Sequence, residues 1–240
     1  MIEAKKLSTV SPTGDFLLVD KPVEWTSFDV VAKIRNTYTG AGLRRKVGHC
    51  GTLDPKASGL LILATGRKTK QIASLEVLDK TYEGVIKLGV MTESFDAELP
   101  EYGQCSVSHL TDREIHDAAA GLEGRCMQKP PMYSAVWHQG KRLYEFARKG
   151  QDIKERKTRE ITVNSFEITA IDLPFVRFRT NVSKGAYIRV LADDLGRNLA
   201  VGGYLSSLRR VAIGEYRIED ARSVIDTVER IKREANDLAE

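Results

Sequence analysis

Gly48-His49-Cys50-Gly51-Thr52-Leu53-Asp54-Pro55 is the stretch on which the rest of the chain turns. It places one carboxylate in a tight, glycine-flanked turn, with a histidine and a threonine close by. The ring of Pro55 fixes its own φ and pushes Asp54 toward extended backbone. Gly48 and Gly51 let the main chain approach another surface. The following run Ser58-Gly59-Leu60-Leu61-Ile62-Leu63-Ala64-Thr65-Gly66 is apolar and reads as a buried strand. A carboxylate held at the mouth of a core strand suits a catalytic acid, base or nucleophile. Aspartate is also an ordinary turn former, and the stretch alone leaves both roles open.

Outward from this turn, strands and helices are interspersed. Phe16 to Asp20 reads as a strand ending at Lys21-Pro22. Ser27 is placed to cap a helix with Val30, Val31, Ile34 and Tyr38 on one face. A second helix is expected from Lys68 to Leu78, and a long strand from Lys80 to Met91 with Tyr82, Gly84, Ile86, Leu88 and Val90 on one face. Two glycines in that strand imply bending or close packing. Residues 92 to 108 read as a loop. Thr111 and Glu114 form a capping box for a helix through Leu122. A short strand over Ser134–Trp137 and a helix from Leu143 to Arg148 flank a Gln139-Gly140 turn. Ile161–Ile171 and Phe175–Thr180 alternate like paired strands. Ser183-Lys184-Gly185 leads into a helix with Ile188, Leu191, Leu195 and Leu199, and a last helix starts at Val224. Without strict βαβ alternation, the pattern is that of an α+β fold.

The chain has 240 residues, 42% of them hydrophobic, enough for one large domain or two small ones. Thirty-seven Lys and Arg against 33 Asp and Glu leave a charge of +4, too small to indicate nucleic acid by itself. The distribution says more. Arg44-Arg45-Lys46, Arg67-Lys68, Lys141-Arg142, Arg148-Lys149 and Arg209-Arg210 lie beside turns, where they suit phosphates. Cys50, Cys105 and Cys126 are widely spaced and odd in number. They show no zinc spacing, and the four histidines form no metal-binding pair. With no signal peptide and no run long enough to span a membrane, the expectation is a reducing cytoplasm, with neither metal nor cofactor. Phosphate-loop, dinucleotide and serine-hydrolase signatures are not found. Asp193-Asp194 is expected to pair with Arg189 and Arg197 along one helix.

Seven segments, in order, resemble the bacterial tRNA pseudouridine synthases of the TruB type. They are Leu18-Val19-Asp20-Lys21-Pro22, the Val47–Pro55 stretch, Lys80-Thr81-Tyr82, Pro130-Pro131-Met132-Tyr133-Ser134-Ala135, Gly140-Lys141-Arg142-Leu143-Tyr144, Ser183-Lys184-Gly185-Ala186-Tyr187-Ile188-Arg189 and Leu208-Arg209-Arg210. The resemblance implies a bent, mixed but mainly antiparallel sheet flanked by helices and loops. It implies a single catalytic domain over 1–240, with an insertion near 124–152 contacting RNA. It further implies a monomer that acts on uridine 55 in the T-loop of tRNA.

The resemblance also assigns roles. Asp54 aligns with the aspartate that attacks the target nucleotide, at carbon 6 of the base or carbon 1′ of the sugar. Tyr82 aligns with the tyrosine that stacks on the uracil, and Arg189 with the arginine that pairs with the catalytic carboxylate. Tyr187 and Leu208 align with residues lining the base pocket, His49 with a histidine that enters the T-loop, and Lys21 with a lysine at the edge of the site. The chemistry suits these residue types. Isomerising uridine needs no redox step, and a carboxylate nucleophile can carry half of the molecule while the base turns. The nucleotide must leave its stack, and an aromatic platform offsets about 1–3 kcal/mol of that cost. A tRNA-folding chaperone with incidental catalysis, or a related synthase acting on another RNA, uses the same surface; only an enzyme needs Asp54 to be a carboxylate.

Two departures from the family stand out. Glu24 occupies a position usually held by glycine. Only about thirty residues follow Arg210, so no separate C-terminal RNA-binding domain of the PUA type is expected, and binding is expected to rely on the T-arm.

Overall fold

A computed structural model describes residues 10–11 and 13–238. In chain order the first elements are β1 (Phe16–Lys21), α1 (Ser27–Gly40), β2 (Val47–Cys50), β3 (Ala57–Thr65), α2 (Ile72–Glu76), β4 (Lys80–Leu88), β5 (Met91–Thr92) and β6 (Glu101–Tyr102). Then come α3 (Asp112–Ala120), β7 (Gly124–Gln128), β8 (Trp137–His138), β9 (Lys141–Arg142), α4 (Leu143–Ala147), β10 (Arg159–Asp172) and β11 (Phe175–Val182). The last are α5 (Ile188–Asn198), β12 (Gly203–Ile213), β13 (Tyr216–Arg217), β14 (Arg222–Ser223) and α6 (Val224–Asn236). These elements form two compact units. One holds the described residues up to Lys80 and those from Arg209 onward; the other holds Thr81–Leu208.

In the first unit the strand order is β14-β1-β3, followed by β12, which contributes Arg209–Ile213 here. β1 and β3 are antiparallel from Phe16↔Ala64 to Lys21↔Gly59, β14 joins β1 in parallel, and β2 pairs with β3 through His49↔Leu63. The apolar run of β3 is explained by burial on both faces. Leu61 and Leu63 pack with Val30, Ile34 and Tyr38 of α1 and Ile231 of α6; Leu60 and Ile62 pack with Cys50, Leu75 and Ile213. Each such side chain stabilises the fold by about 1.5–3 kcal/mol relative to exposure. The α1 stripe is as the periodicity requires, but the cap is not Ser27. Thr26 accepts from the Asp29 amide and Asp29 accepts from the Thr26 amide, a complete capping box.

The expected helix from Lys68 to Leu78 is shorter. Gly66–Gln71 is a 3-10 turn with no buried residue, and only Ile72–Glu76 is α-helical. The sequence Gly66-Arg67-Lys68-Thr69-Lys70-Gln71 offers no apolar stripe to pack.

In the second unit β12 contributes Gly203–Leu208, followed in order by β4, β11, β10 and β7. β10 and β11 pair antiparallel as predicted, from Val163↔Val182 to Asp172↔Phe175. Val176, Phe178, Thr180 and Val182 are buried on alternate positions of β11, and Phe178 stacks on Phe166 at 5.0 Å. Close packing at Gly84 is real: a Cβ there would lie 2.6 Å from the Ser207 carbonyl oxygen and 2.8 Å from the Phe178 ring. β4 stops at Leu88 because Gly89 turns the chain at φ +84°. The Thr111–Glu114 capping box forms as expected. The hairpin β8–β9 replaces the single strand expected over Ser134–Trp137, its turn made by Gln139 and Gly140 at φ +46° and +80°. The residues span a mixed sheet with helices, an α+β fold.

Candidate active site

Lys21, His49 and Asp54 belong to the first unit; Tyr82, Tyr187, Arg189 and Leu208 belong to the second. Each group has its own construction.

In the first unit, β2 ends at Cys50 and the chain makes a short excursion before β3 begins at Ala57. Gly51 takes φ +82°, a conformation that favours glycine. Asp54, half-buried, accepts through its carbonyl from the Ala57 amide at 3.0 Å, closing a four-residue turn with Pro55 in its second position. The Pro55 carbonyl accepts from the Glu24 amide at 2.8 Å. The glycine-to-glutamate departure is thereby placed: Glu24 sits at φ +67°, and its carboxylate accepts from Lys56 Nζ at 2.7 Å. The turn is also held from behind. Buried Ser27 accepts from the Leu53 amide at 2.9 Å and donates to the Leu53 carbonyl at 3.2 Å. Buried Arg210 donates through Nε to the Leu60 carbonyl at 2.8 Å and through Nη2 to the Gly51 carbonyl at 3.1 Å.

Lys21 is fully buried at the end of β1, and its ammonium donates to the carbonyls of Pro22 and Trp25 at 2.8 and 2.6 Å. Burial pulls its pKa from 10.5 down to about 8; the neighbouring Asp54 carboxylate opposes that fall and Arg210 adds to it. His49, on β2, is held below its usual range first by burial and then by the positive charge of Arg210, which favours the neutral imidazole. Buried Lys80 donates to the carbonyls of Glu76 and Leu78, both at 2.6 Å, and so caps the end of α2.

In the second unit Tyr82 is 8% exposed on β4, and Leu208 is half-buried on β12. Tyr187 immediately precedes α5 and is gripped by one side-chain amide. Gln128 accepts from the Tyr187 amide at 2.7 Å and donates to its carbonyl at 3.1 Å. Arg159 donates to the Tyr187 hydroxyl at 3.1 Å and lies 4.8 Å from its ring centroid; Arg189 lies 5.7 Å from the same ring. Arg189 is 4% exposed, so it is a buried charge rather than a helix-surface residue. Its Nη1 bonds Asp96 Oδ2 at 3.2 Å and the Ser94 carbonyl at 3.4 Å. The Thr92–Glu98 segment wraps around Asp96: Thr92 donates to the Asp96 carbonyl at 2.8 Å and Asp96 Oδ1 accepts from the Glu98 amide at 3.0 Å. Asp193 pairs with Arg197 at 2.7 Å, as the helix spacing requires.

Gln128 and Asp96 carried no expectation in the sequence. Arg210, expected in a basic cluster suited to phosphates, is instead buried with its guanidinium bonded to main-chain carbonyls, and Ser27, expected to cap α1, bonds Leu53 instead. Among the described residues, no group of three or more His, Cys, Asp and Glu gathers to hold a metal ion, and no helix is long and apolar enough to cross a membrane.

Residues 40–188 match the TruB family pseudouridylate synthase N-terminal domain. The chain belongs to this family. Curated relatives cover most or all of the chain. The tRNA pseudouridine synthase B of Chlorobaculum tepidum is 60% identical over 240 residues, covering 100% of both chains. That of Chlorobium chlorochromatii is 62% identical over 225 residues, covering 94% of this chain and 88% of the relative. Among solved structures, a chain of a Cbf5-Nop10-Gar1 complex superposes with a TM-score of 0.69 at 28% identity over 93% of this chain. This chain spans 59% of that one. A chain of an H/ACA RNP bound to a substrate RNA containing 2'-deoxyuridine gives 0.67 at 26% identity, covering 93% of this chain and 58% of the other. The TruB-family chain is therefore a pseudouridine synthase with the α+β fold of its structural relatives.

Proposed function

We propose that the chain acts on tRNA in the cytoplasm, as a monomer without metal or cofactor, isomerising uridine 55 of the T-loop to pseudouridine with Asp54 as nucleophile. The reaction breaks the bond between carbon 1′ and N1 and forms one between carbon 1′ and carbon 5. Carbon 5 loses its proton and N1 gains one, so atoms balance without a redox partner. The carboxylate holds the detached half covalently while the base turns. The observation that carries this reading is the construction of the Asp54 turn. Its main chain is bonded on both sides by groups distant in sequence, as a reacting atom requires. The names of the full-length relatives support tRNA as substrate.

The roles implied by resemblance for the other residues are part of the proposal. Tyr82 stacks on the uracil and assists proton removal, Arg189 pairs with the catalytic carboxylate, and Tyr187 and Leu208 line the base pocket. His49, held neutral, fills the gap left by the extruded nucleotide, and Lys21 borders the site. The insertion near 124–152 contacts the T-arm. Its exposed Trp137, with the Arg142 guanidinium 4.0 Å from the ring centroid, offers a stacking face and a positive charge.

The test is Asp54→Asn on unmodified T-arm RNA, followed by tritium release from carbon 5. Turnover should vanish while RNA binding persists. Full turnover by the variant refutes the nucleophile assignment. Mapping modified sites in total RNA tests position 55.

A further inference from the structure

We propose that Ser27 and Arg210 are positioning residues of this synthase, fixing the nucleophile turn by gripping its main chain at Leu53 and Gly51. The inference rests on the reading of Asp54 as nucleophile and adds the residues that aim it.

Ser27 is 2% exposed and lies inside the first turn of α1, where the capping work is done by its neighbour Thr26. Its hydroxyl is therefore available to bond both main-chain groups of Leu53, the residue before Asp54. A serine in a helix interior is mildly unfavourable, and a buried hydroxyl costs free energy unless it is bonded. The hydroxyl is bonded here at one residue, through both the N–H and the carbonyl of Leu53.

Arg210 is 1% exposed. Burying a guanidinium costs several kcal/mol before its bonds are counted, so a site that needed only packing would be filled by an apolar side chain. The planar fork instead ties Gly51, where the excursion from β2 begins, to Leu60, four residues into β3. Asp54 lies on the loop between those two anchors. Close approach of β3 to β12 brings the guanidinium into range. At Gly59, with φ +104°, a Cβ would sit 2.3 Å from the Arg210 carbonyl oxygen and 2.7 Å from its nitrogen. The Ser27 and Arg210 bonds above go to main-chain atoms, so both side chains set where the Asp54 carboxylate stands.

The experiment uses the full chain carrying Ser27→Ala, Ser27→Thr, Arg210→Lys or Arg210→Met, with kcat and KM on T-arm RNA and thermal unfolding for each. Misplacing a reacting group by about 1 Å costs on the order of 100-fold in rate. Arg210→Met is expected to lose kcat on that scale, and Ser27→Ala and Arg210→Lys roughly 10-fold. KM should be unchanged in all. A lysine keeps the charge but not the two-pronged fork, and Ser27→Thr keeps the hydroxyl and restores kcat. Wild-type kcat in both Ser27→Ala and Arg210→Lys overturns the inference. So does a loss confined to KM, or a loss that only tracks the unfolded fraction. If Arg210→Met does not fold, the other two variants decide. Asp54→Asn in the same assay keeps the two readings apart. Turnover by Asp54→Asn sinks the nucleophile; an inactive Asp54→Asn beside fully active Ser27 and Arg210 variants sinks only the positioning role.

Discussion

The Asp54 turn and the segment around the β8–β9 hairpin are both short, irregular and polar, yet they are built in opposite ways. Around Asp54 the main chain is bonded across 26 positions to Ser27 and across 159 to Arg210. Around the hairpin the bonds stay within the segment itself: Leu143 to Val136, Tyr144 to Ser134 and Arg156 to Pro130. The first region buries Leu53 and Ala57 beside Asp54; the second leaves Trp137 61% exposed. The first is fixed by groups from other elements; the second keeps its shape through bonds within its own segment.

Substitutions should separate the two. Asp54→Asn has the largest expected effect, a loss of roughly 10,000-fold or more in turnover, by analogy with other covalent nucleophiles. Single-turnover assays at saturating RNA measure it, and unchanged RNA affinity is the second half of the expectation. Gly59→Ala comes next. With its Cβ driven into the Arg210 main chain, it should cost roughly 3 kcal/mol or more of stability, seen in urea unfolding. A neutral result there would break the claim that the turn is held by close backbone packing.

Trp137→Ala should weaken T-arm binding by about 1–3 kcal/mol and leave both kcat at saturation and the melting temperature intact. If kcat falls instead, the hairpin belongs with the positioning machinery and the contrast fails.

Lys21 sharpens the comparison through pH. Below about 8 both folded and unfolded states carry the proton, and the full penalty of the buried charge applies. Between about 8 and 10.5 the unfolded chain binds more protons than the folded one, so this lysine's contribution to stability rises with pH. The stability of the wild type relative to Lys21→Met should therefore improve from pH 7.5 toward pH 10, a window set by that depressed value. A flat difference would show that Lys21 titrates normally. The smallest effect is expected for Glu24→Gly. Relief of φ +67° is worth about 1–2 kcal/mol, less the exposed Lys56 ion pair at about 0.2–1. A small net gain in melting temperature is the outcome to look for.

Much of this was legible in the chain. The stripe of α1, the Thr111–Glu114 box, the β10–β11 pair and the Asp54-Pro55 turn each depend on residues within a few positions of one another, where periodicity and turn chemistry act. The ordered segments carried the family. β12 was not foreseen, because Gly203-Tyr204-Leu205-Ser206-Ser207-Leu208-Arg209-Arg210 has no clean alternation; its burial is set by neighbours on both sides. Ser27 was taken for a cap because serine commonly is one, and only the three-dimensional course of the chain shows Thr26 in that role and Leu53 against the hydroxyl.

By itself, then, the sequence determined where most of the local elements lie, to which family the chain belongs, and that one aspartate is bent into a proline turn. The tertiary structure decided what grips that turn, why Gly59 must lack a side chain, and that Asp96 bonds Arg189. The physical reason is distance along the chain. Local propensities are written in adjacent residues, whereas a buried charge or hydroxyl is satisfied by whatever main chain the fold brings to it.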